Sequence, residues 1–190
     1  EEKKITKQTF ALFTGLFLIM IIGIYSYFVV LQKSFIWEGD GFSQHYLIFK
    51  DYLNIIKEYF ADPAAGFPFW DWTNGMGADV LSAYGYYVVG DPFVYLGLLF
   101  PASMTELAFH VLIFLRVYFI GVAFLFYCRR MQVGSSGALV GTLMYTFTFY
   151  VILNVTRHPF FLMPMIFFPL LCIGVEKILH NESNTFFIAI

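Results

Sequence analysis

The stretch FALFTGLFLIMIIGIYSYFVVL, residues 10–31, carries no charged side chain over 22 positions. A helix of about 20 apolar residues is long enough to cross the hydrocarbon core of a bilayer. The stretch is too long for the apolar region of a cleavable signal peptide, and no small-residue cleavage site follows it. We therefore predict that this segment is a membrane-anchoring helix.

The composition of the whole chain also favours a membrane protein. Hydrophobic residues make up 59% and charged residues 13% of the 190 positions, whereas soluble domains carry about 25% charged residues. The net charge of −2 and the lack of a basic patch argue against nucleic acid as a partner. Cys128 and Cys172 are predicted to be small apolar residues, not a disulfide framework.

Three further apolar segments predict additional spans. They cover about residues 107–128, 133–153 and 160–179, and a fifth span begins at residue 185. Residues 185–190 alone are too few to cross a bilayer, and residue 1 is not Met. We therefore expect an N-terminal fragment of a larger protein. The predicted fold class is all-α, a polytopic integral membrane helix bundle.

The segment between the first two spans, residues 32–106, is too polar to cross lipid. Apolar residues recur at helical spacing over about 42–60 and predict an amphipathic helix within this long loop. Lysine and arginine mark the cytoplasmic side of a membrane protein. They fall on one side of the predicted spans, at Lys3, Lys4, Lys7, Arg129, Arg130 and Lys177. These positions predict a cytoplasmic N-terminus and an extracellular loop.

The first acids of the loop, Glu38 and Asp40, lie just beyond the end of the first span. Gly39 and Gly41 flank Asp40, and glycines leave a bare backbone that a ligand or metal can approach closely. A simple Asp-Gly turn is the alternative explanation, because such turns are common.

Glycines, acids and aromatic residues alternate further along the loop. The segments are Trp70-Asp71-Trp72, Asn74–Asp79, Tyr84–Tyr87 and Gly90-Asp91-Pro92. Aromatic faces stack on sugars, and carboxylates accept hydrogen bonds from sugar hydroxyls. The pattern is therefore typical of a carbohydrate-facing surface, although an aromatic belt at the membrane interface explains it equally well.

Three basic residues are candidates for binding a phosphate group. Arg116 lies mid-span, where a charge is costly and suggests a function; it either binds a lipid phosphate or pairs with an acid on another helix. Arg157 and His158 lie in a predicted short loop between the third and fourth spans. They suit an anionic headgroup or an interfacial anchor. The sequence contains no metal-ligand cluster, phosphate-binding glycine loop or nucleophile elbow.

Several of these segments resemble the opening of one bacterial membrane protein family. They are the first span with Gly39-Asp40-Gly41-Phe42-Ser43-Gln44-His45-Tyr46, Trp72–Gly77 with Asp79, Tyr86–Phe93, and His158-Pro159 before a Pro- and Leu-rich span. In their order and spacing they resemble the YfhO family over about residues 10–180.

The resemblance implies an activity. The family resembles the GT-C class of membrane glycosyltransferases, which transfer a sugar from a polyprenyl-phosphate lipid to an acceptor outside the cytoplasm. For this family the implied acceptor is a cell-wall polymer such as teichoic acid. Family members are much longer and have many more spans, so this chain corresponds to their N-terminal part.

The resemblance also implies roles for individual residues. Asp40 matches the catalytic carboxylate, and Asp91 matches a second acid less closely. Substrate contacts are implied for Glu38, His45, Trp72, Asp79, Tyr87, Arg116, Arg157 and His158. The chemistry is compatible with a divalent ion, Mg²⁺ or Mn²⁺, at the leaving phosphate.

Two other functions stay open from the sequence alone. A transporter or flippase of a lipid-linked sugar needs polar residues along its spans. Arg116 is the one charged residue deep within the predicted spans. A non-catalytic membrane assembly protein needs no reactive acid. The clustering of acids in one loop favours a reaction outside the membrane.

Overall fold

The computed structural model describes residues 4–182 of the chain. These residues fall into two compact units. The helical unit contains the described residues up to Phe35, then Leu115–Val155, and those from Phe161 onward. The loop unit contains Ile36–Phe114 and Thr156–Phe160. The predicted start of a fifth span at residue 185 lies outside the described residues.

Helix α1 spans Lys7–Val30 and is apolar on all faces. A helix of this kind needs an apolar surrounding, and its backbone groups are bonded within the helix as lipid requires. Helix α2 (Leu47–Ala61) follows a π-helical segment, Gly41–Tyr46. The predicted amphipathic helix at 42–60 thus consists of two consecutive segments.

The rest of the loop unit is made of short elements. They are β1 (Trp70–Asp71), β2 (Ala78–Asp79), α3 (Val80–Tyr84), a π-helix (Gly85–Val89), α4 (Pro92–Leu96), and 3₁₀ turns at Pro63–Ala65, Gly97–Leu99 and Ala102–Met104. Strands β1 and β2 pair antiparallel, with Trp70 opposite Asp79. Gly75 and Gly77 between them have φ angles of 64° and 102°, which glycine adopts without steric cost.

Helix α5 (Thr105–Arg130) is the longest element, and α8 (Met163–Leu179) follows a 3₁₀ turn at Pro159–Leu162. Among the described residues, three helical segments are long and apolar enough to cross a membrane: Lys7–Val30, Ala102–Arg130 and Pro159–Leu179. A bent pair of helices adds a fourth if it counts as one span. The protein is therefore an all-α membrane protein with several apolar helices.

The bent pair consists of α6 (Ser135–Thr146) and α7 (Phe149–Arg157), which are inclined by 44°. The sequence predicted one span over 133–153 and a loop from residue 154. The helical conformation up to Arg157 corrects the start of that loop, and the break within the span was not predicted. The physical reason lies in the Thr146-Phe147-Thr148-Phe149 run, since β-branched and aromatic residues are weaker helix formers. Thr148 Oγ1 also accepts a hydrogen bond from Val151 N at 3.4 Å, in the manner of a helix cap.

Helices α1, α5 and α8 end in the same way. Each is followed by a non-glycine residue with positive φ: Gln32 (52°), Gln132 (55°) and Asn181 (54°). After α1, Gln32 N donates to Val29 O at 3.0 Å and Lys33 N donates to Phe28 O at 2.8 Å. These paired bonds are a Schellman motif, which satisfies carbonyl groups that the helix leaves free.

Aromatic rings pack the helical unit. The Phe13 ring is fully buried and stacks on Tyr118, with ring centroids 5.8 Å apart. It occupies the space beside Gly121, where an added Cβ atom would lie 2.1 Å from Phe13 Cζ. Thr14 and Tyr118 share a hydrogen bond of 3.0 Å between their hydroxyls. Helices α1 and α5 therefore pack with no space at residue 121.

Candidate functional site

The segment before the π-helix places Asp40 between two glycines. Phe42 N donates to Trp37 O at 2.8 Å, and Ser43 N donates to Gly39 O at 3.1 Å. A Cβ atom on Gly39 would lie 2.9 Å from the Trp37 ring, and one on Gly41 would lie 2.9 Å from Trp37 Cβ. Any other residue at either position would thus displace Trp37 or the backbone. The close packing of Trp37 against this backbone is therefore the reason that both positions are glycine.

The Asp40 carboxylate is half-buried and is held through one oxygen. Gln44 lies one turn later and donates from Nε2 to Asp40 Oδ1 at 3.1 Å. The Tyr87 hydroxyl donates to Gln44 Oε1 at 2.6 Å, which fixes the orientation of the amide. Asp40 Oδ2 makes no hydrogen bond to the described residues, so it can accept one from a ligand.

A pair of histidines lies beside this carboxylate. His45 Nε2 and His158 Nδ1 share a hydrogen bond of 2.9 Å. His45 is 2% exposed, and its Nδ1 has no hydrogen-bond partner among the described residues. Burial and the neighbouring His158 lower the pKa of His45 to about 4, although Asp40 acts in the opposite direction. His45 is therefore a neutral imidazole at pH 7.

Rings fix the histidine pair in place. Tyr87 and Phe160 lie against the His45 ring, with centroids at 5.4 Å and 5.6 Å. Trp37 lies edge-on to His158 at 5.9 Å. The Arg157 guanidinium stands over the Trp37 ring at 5.2 Å, a distance within the range of cation–π attraction.

We refer to this group as the Asp40 cluster. It consists of Trp37, Asp40, Gln44, His45, Tyr87, Arg157 and His158, all within the loop unit. The cluster combines a carboxylate, an imidazole pair and an exposed guanidinium. It brings together five of the ten predicted site residues: Asp40, His45, Tyr87, Arg157 and His158.

The other five predicted site residues lie elsewhere. Asp91 is 5% exposed, and its Oδ1 accepts a hydrogen bond from Phe93 N at 2.8 Å, so it caps α4. Asp79 caps α3 by accepting from Ser82 N at 2.7 Å; the bonds from Ser82 lower the pKa of its carboxyl. The catalytic role of Asp91 and the substrate role of Asp79 stay predictions.

The three remaining residues differ widely in exposure. Glu38 is exposed, and Trp72 is 75% exposed with its ring edge-on to Trp70 at 5.5 Å. Arg116 is 1% exposed and lies within α5 in the helical unit. Among residues 4–182 no three His, Cys, Asp or Glu side chains converge on a possible metal position. A divalent ion at the leaving phosphate stays a prediction, because one or two carboxylates together with substrate phosphates are enough to hold Mg²⁺.

Sequence reasoning did not single out Gln44. This residue orients the carboxylate of Asp40. The spacing of four residues could have predicted the contact, since residues four apart share a helix face. The two glycines beside Asp40 favoured a flexible loop, which obscured that signal.

The family assignment follows from a comparison with known families. A family model described as bacterial membrane protein YfhO matches residues 11–190. The chain belongs to the YfhO family. The match includes the whole Asp40 cluster and the residues by which the sequence resembles this family. No curated protein and no solved structure matches the chain.

Proposed function

We propose that this YfhO chain is part of a membrane glycosyltransferase of the GT-C type. The proposed donor is a sugar linked to polyprenyl phosphate, and the proposed acceptor is a hydroxyl group of an extracytoplasmic cell-wall polymer such as teichoic acid. The observation that carries the proposal is the Asp40 carboxylate, which is fixed through Oδ1 and open at Oδ2 near the His45–His158 pair. Membership of the family supports it.

In the proposed reaction Asp40 acts as general base. The acceptor oxygen forms a bond to the anomeric carbon, and the bond between that carbon and the phosphate oxygen breaks. The proton of the acceptor hydroxyl goes to Asp40 Oδ2, and the electron pair of the broken bond leaves with the phosphate. The Gln44 amide holds Asp40 Oδ1. Asp40 Oδ2 therefore keeps one orientation, and less entropy is lost when the acceptor hydroxyl binds to it.

The developing charge on the leaving phosphate needs donors. The Arg157 guanidinium has no ion-pair partner among the described residues, and stacking on Trp37 restrains it. A guanidinium binds phosphate oxygens through two parallel hydrogen bonds. His158 lies between Trp37 and His45 and is the second candidate donor. No step of this mechanism requires a metal.

The proposal includes an orientation for the chain. Lys4 and Lys7 precede or begin α1, Arg129 and Arg130 end α5, and Lys177 lies in the last turn of α8. Cytoplasmic loops are enriched in such residues, so the proposed topology has a cytoplasmic N-terminus and an extracellular loop unit. A lipid-phosphate donor suits that side, because the phosphate bond is already activated and no nucleotide is required.

The proposal is tested by Asp40→Asn in the full-length protein in membranes. The amide keeps the size of the side chain but cannot take a proton, so sugar transfer to the polymer should fall about 10²–10⁴-fold. Asp62→Asn is the matched control, because Asp62 is exposed at the end of α2 and outside the Asp40 cluster, so transfer should be unchanged. Undiminished transfer by a stably expressed Asp40→Asn protein would show that this acid is not the base.

A further inference from the structure

The loop unit contains a polar cavity of about 600 Å³. It lies along α2 and is bounded by the β1–β2 hairpin and α3. Its polar lining consists of Lys50, Asp51, Asn54, Asp71, Thr73, Asn74 and Tyr84. These residues are outside the Asp40 cluster. The volume is within the ordinary range of small-molecule sites, about 300–1,000 Å³.

One wall of the cavity is held by a tyrosine. Tyr84 is 5% exposed, and its hydroxyl donates a hydrogen bond to Asp51 Oδ2. Burial and the nearby Asp51 raise the pKa of Tyr84, so the hydroxyl keeps its proton. The position of Asp51 is therefore fixed before any ligand arrives.

The β1–β2 hairpin supplies a further part of the lining. Asp71 Oδ1 accepts hydrogen bonds from Thr73 N at 2.8 Å and from the Thr73 hydroxyl at 2.7 Å. The pairing of Asp71 with Ala78 ties this turn to β2. The carboxylate is half-buried, and these bonds use one of its two oxygens.

The lining chemistry selects a class of ligand. Two carboxylates and one ammonium group give the polar lining a formal charge of −1, which disfavours a phosphate-rich ligand. The amides of Asn54 and Asn74 both donate and accept hydrogen bonds, as hydroxyl groups require. The side chains of Leu47, Ile48 and Ala83 add apolar surface to the same lining. A lining of both kinds fits the C–H faces and hydroxyl edges of a sugar or polyol.

We infer that this cavity binds a neutral polyhydroxylated segment, either a saccharide or a polyol chain, on the acceptor side of the reaction. The acceptor role rests on the proposed function, whereas the binding itself does not. Shared elements link the two sites: Gln44 and Asp51 lie on the continuous helical segment 41–61, about 10 Å apart along its axis. Tyr87 and Tyr84, three residues apart, bond to these two residues respectively.

The inference is tested by ligand binding without any lipid donor. Saturation-transfer NMR on the full-length protein in nanodiscs uses maltotriose and ribitol as neutral probes and poly(glycerol phosphate) as the anionic probe. Asn54→Leu removes the amide but keeps the side-chain size, and should weaken neutral-probe binding about tenfold. Asp51→Asn, which keeps an acceptor for Tyr84, is the second variant. Glu58→Gln, an exposed change on α2 outside the cavity, is the matched control.

The outcomes separate the two proposals. Binding of maltotriose or ribitol that Asn54→Leu or Asp51→Asn weakens supports the inference, and the stronger of the two probes identifies the source as sugar or polyol. The inference would be overturned if neither neutral probe binds or if only the anionic probe binds. It would also be overturned if both variants fold and bind the neutral probes as tightly as the wild type does. Asp40→Asn should bind the neutral probes normally, so undiminished transfer by that variant would refute the proposed function alone.

Discussion

The regions around Asp40 and Asp91 begin alike and differ in structure. Each acid follows a glycine in the loop unit, and the family resemblance gave both a catalytic role. Asp91 is buried and its carboxylate accepts from a backbone amide. Asp40 is half-buried and its carboxylate accepts from a side-chain amide. The residue after each acid explains the difference, because Pro92 favours the first position of a helix and makes Asp91 a cap.

The comparison teaches that a Gly-Asp pair has no fixed meaning. A capping carboxylate can be replaced by asparagine, whose oxygen accepts the same hydrogen bond. A carboxylate that must accept a proton cannot. Isosteric substitution therefore distinguishes the two roles more sharply than removal of the side chain.

The largest expected contrast is between Asp40→Asn and Asp91→Asn. We expect the first to lower sugar transfer about 10²–10⁴-fold and the second to change it by less than about threefold, since the asparagine side chain would still cap α4. Transfer rates of both variants in the same membranes provide the measurement. A large loss in Asp91→Asn with normal expression would instead support the predicted catalytic role of Asp91.

Acidification should act on the Asp40 region through His45. The pKa of His45 is lowered to about 4, from an unfolded value of about 6.5. The unfolded chain thus binds more protons between these values. Stability should be complete above the unfolded pKa and fall as pH drops to 4, by at most about 1.4 kcal/mol per pH unit.

Thermal unfolding midpoints in nanodiscs between pH 7 and 4 provide the measurement. His45→Phe should have a shallower dependence on pH, because phenylalanine keeps a ring at this buried position but does not titrate. The exposed His180 is the control, and His180→Gln should leave the slope of the wild-type curve unchanged. Equal slopes for His45→Phe and wild type would contradict the lowered pKa.

Alanine substitutions of Asp40 and Asp91 should rank the two acids in the opposite order when stability is measured instead of sugar transfer. Asp91→Ala leaves Phe93 N without its partner and should cost about 1 kcal/mol, the usual value of a lost helix cap. Asp40→Ala should cost less, because Asp40 is half-buried and water can replace its carboxylate as the acceptor for the partly buried Gln44 amide. Denaturant titrations of the two alanine variants measure the difference. A greater loss in Asp40→Ala would show a structural role that the contacts do not indicate.

The smallest expected effect comes from Tyr87→Phe. The change frees Gln44 Oε1 without removing the ring that packs on His45. We expect transfer to fall several-fold through looser positioning of Asp40, in line with about 1 kcal/mol for one hydrogen bond. Tyr95→Phe is the control, since this hydroxyl bonds to Tyr52 and Val89 O, away from the Asp40 cluster. Equal effects of the two changes would argue against positioning through Gln44.

The sequence predicted the apolar helices and the family well, for a simple reason. Hydropathy summed over about 20 residues identifies a membrane-spanning helix reliably, and a set of motifs in fixed order identifies the family. The same reasoning missed the break at Thr148, because one β-branched residue among many apolar ones barely changes a hydropathy average. Cap geometry, not hydrophobicity, determines such a break.

The site was predicted in part. Asp40, His45 and His158 were named from motifs, but the hydrogen bond between the two histidines joins residues 113 positions apart. The cavity lined by Asp51 and Tyr84 was not predicted either, because these two residues lie 33 positions apart. Pairings between distant elements depend on tertiary packing, which periodicity does not encode.

The predicted apolar stripe on the 42–60 helix shows the same limit. Phe49, Leu53 and Ile56 are buried, but Phe42 and Phe60 are 56% and 67% exposed. The π-helical turn at Gly41–Tyr46 is wider than an α-helical turn and shifts which side chains of this segment face inward. His45 is therefore buried and Phe42 is exposed.

The tight packing at Gly121 bears on how this sequence can vary. A methyl group there would overlap the Phe13 ring, so even alanine should be selected against in natural variants. Gly15 and Gly23 in α1 have open surroundings within 4 Å and should drift freely among small and large apolar residues. A mutational scan should thus find that substitutions are not tolerated at Gly121 but are tolerated at Gly15 and Gly23, although the two spans have similar mean hydropathy, 2.3 and 2.2.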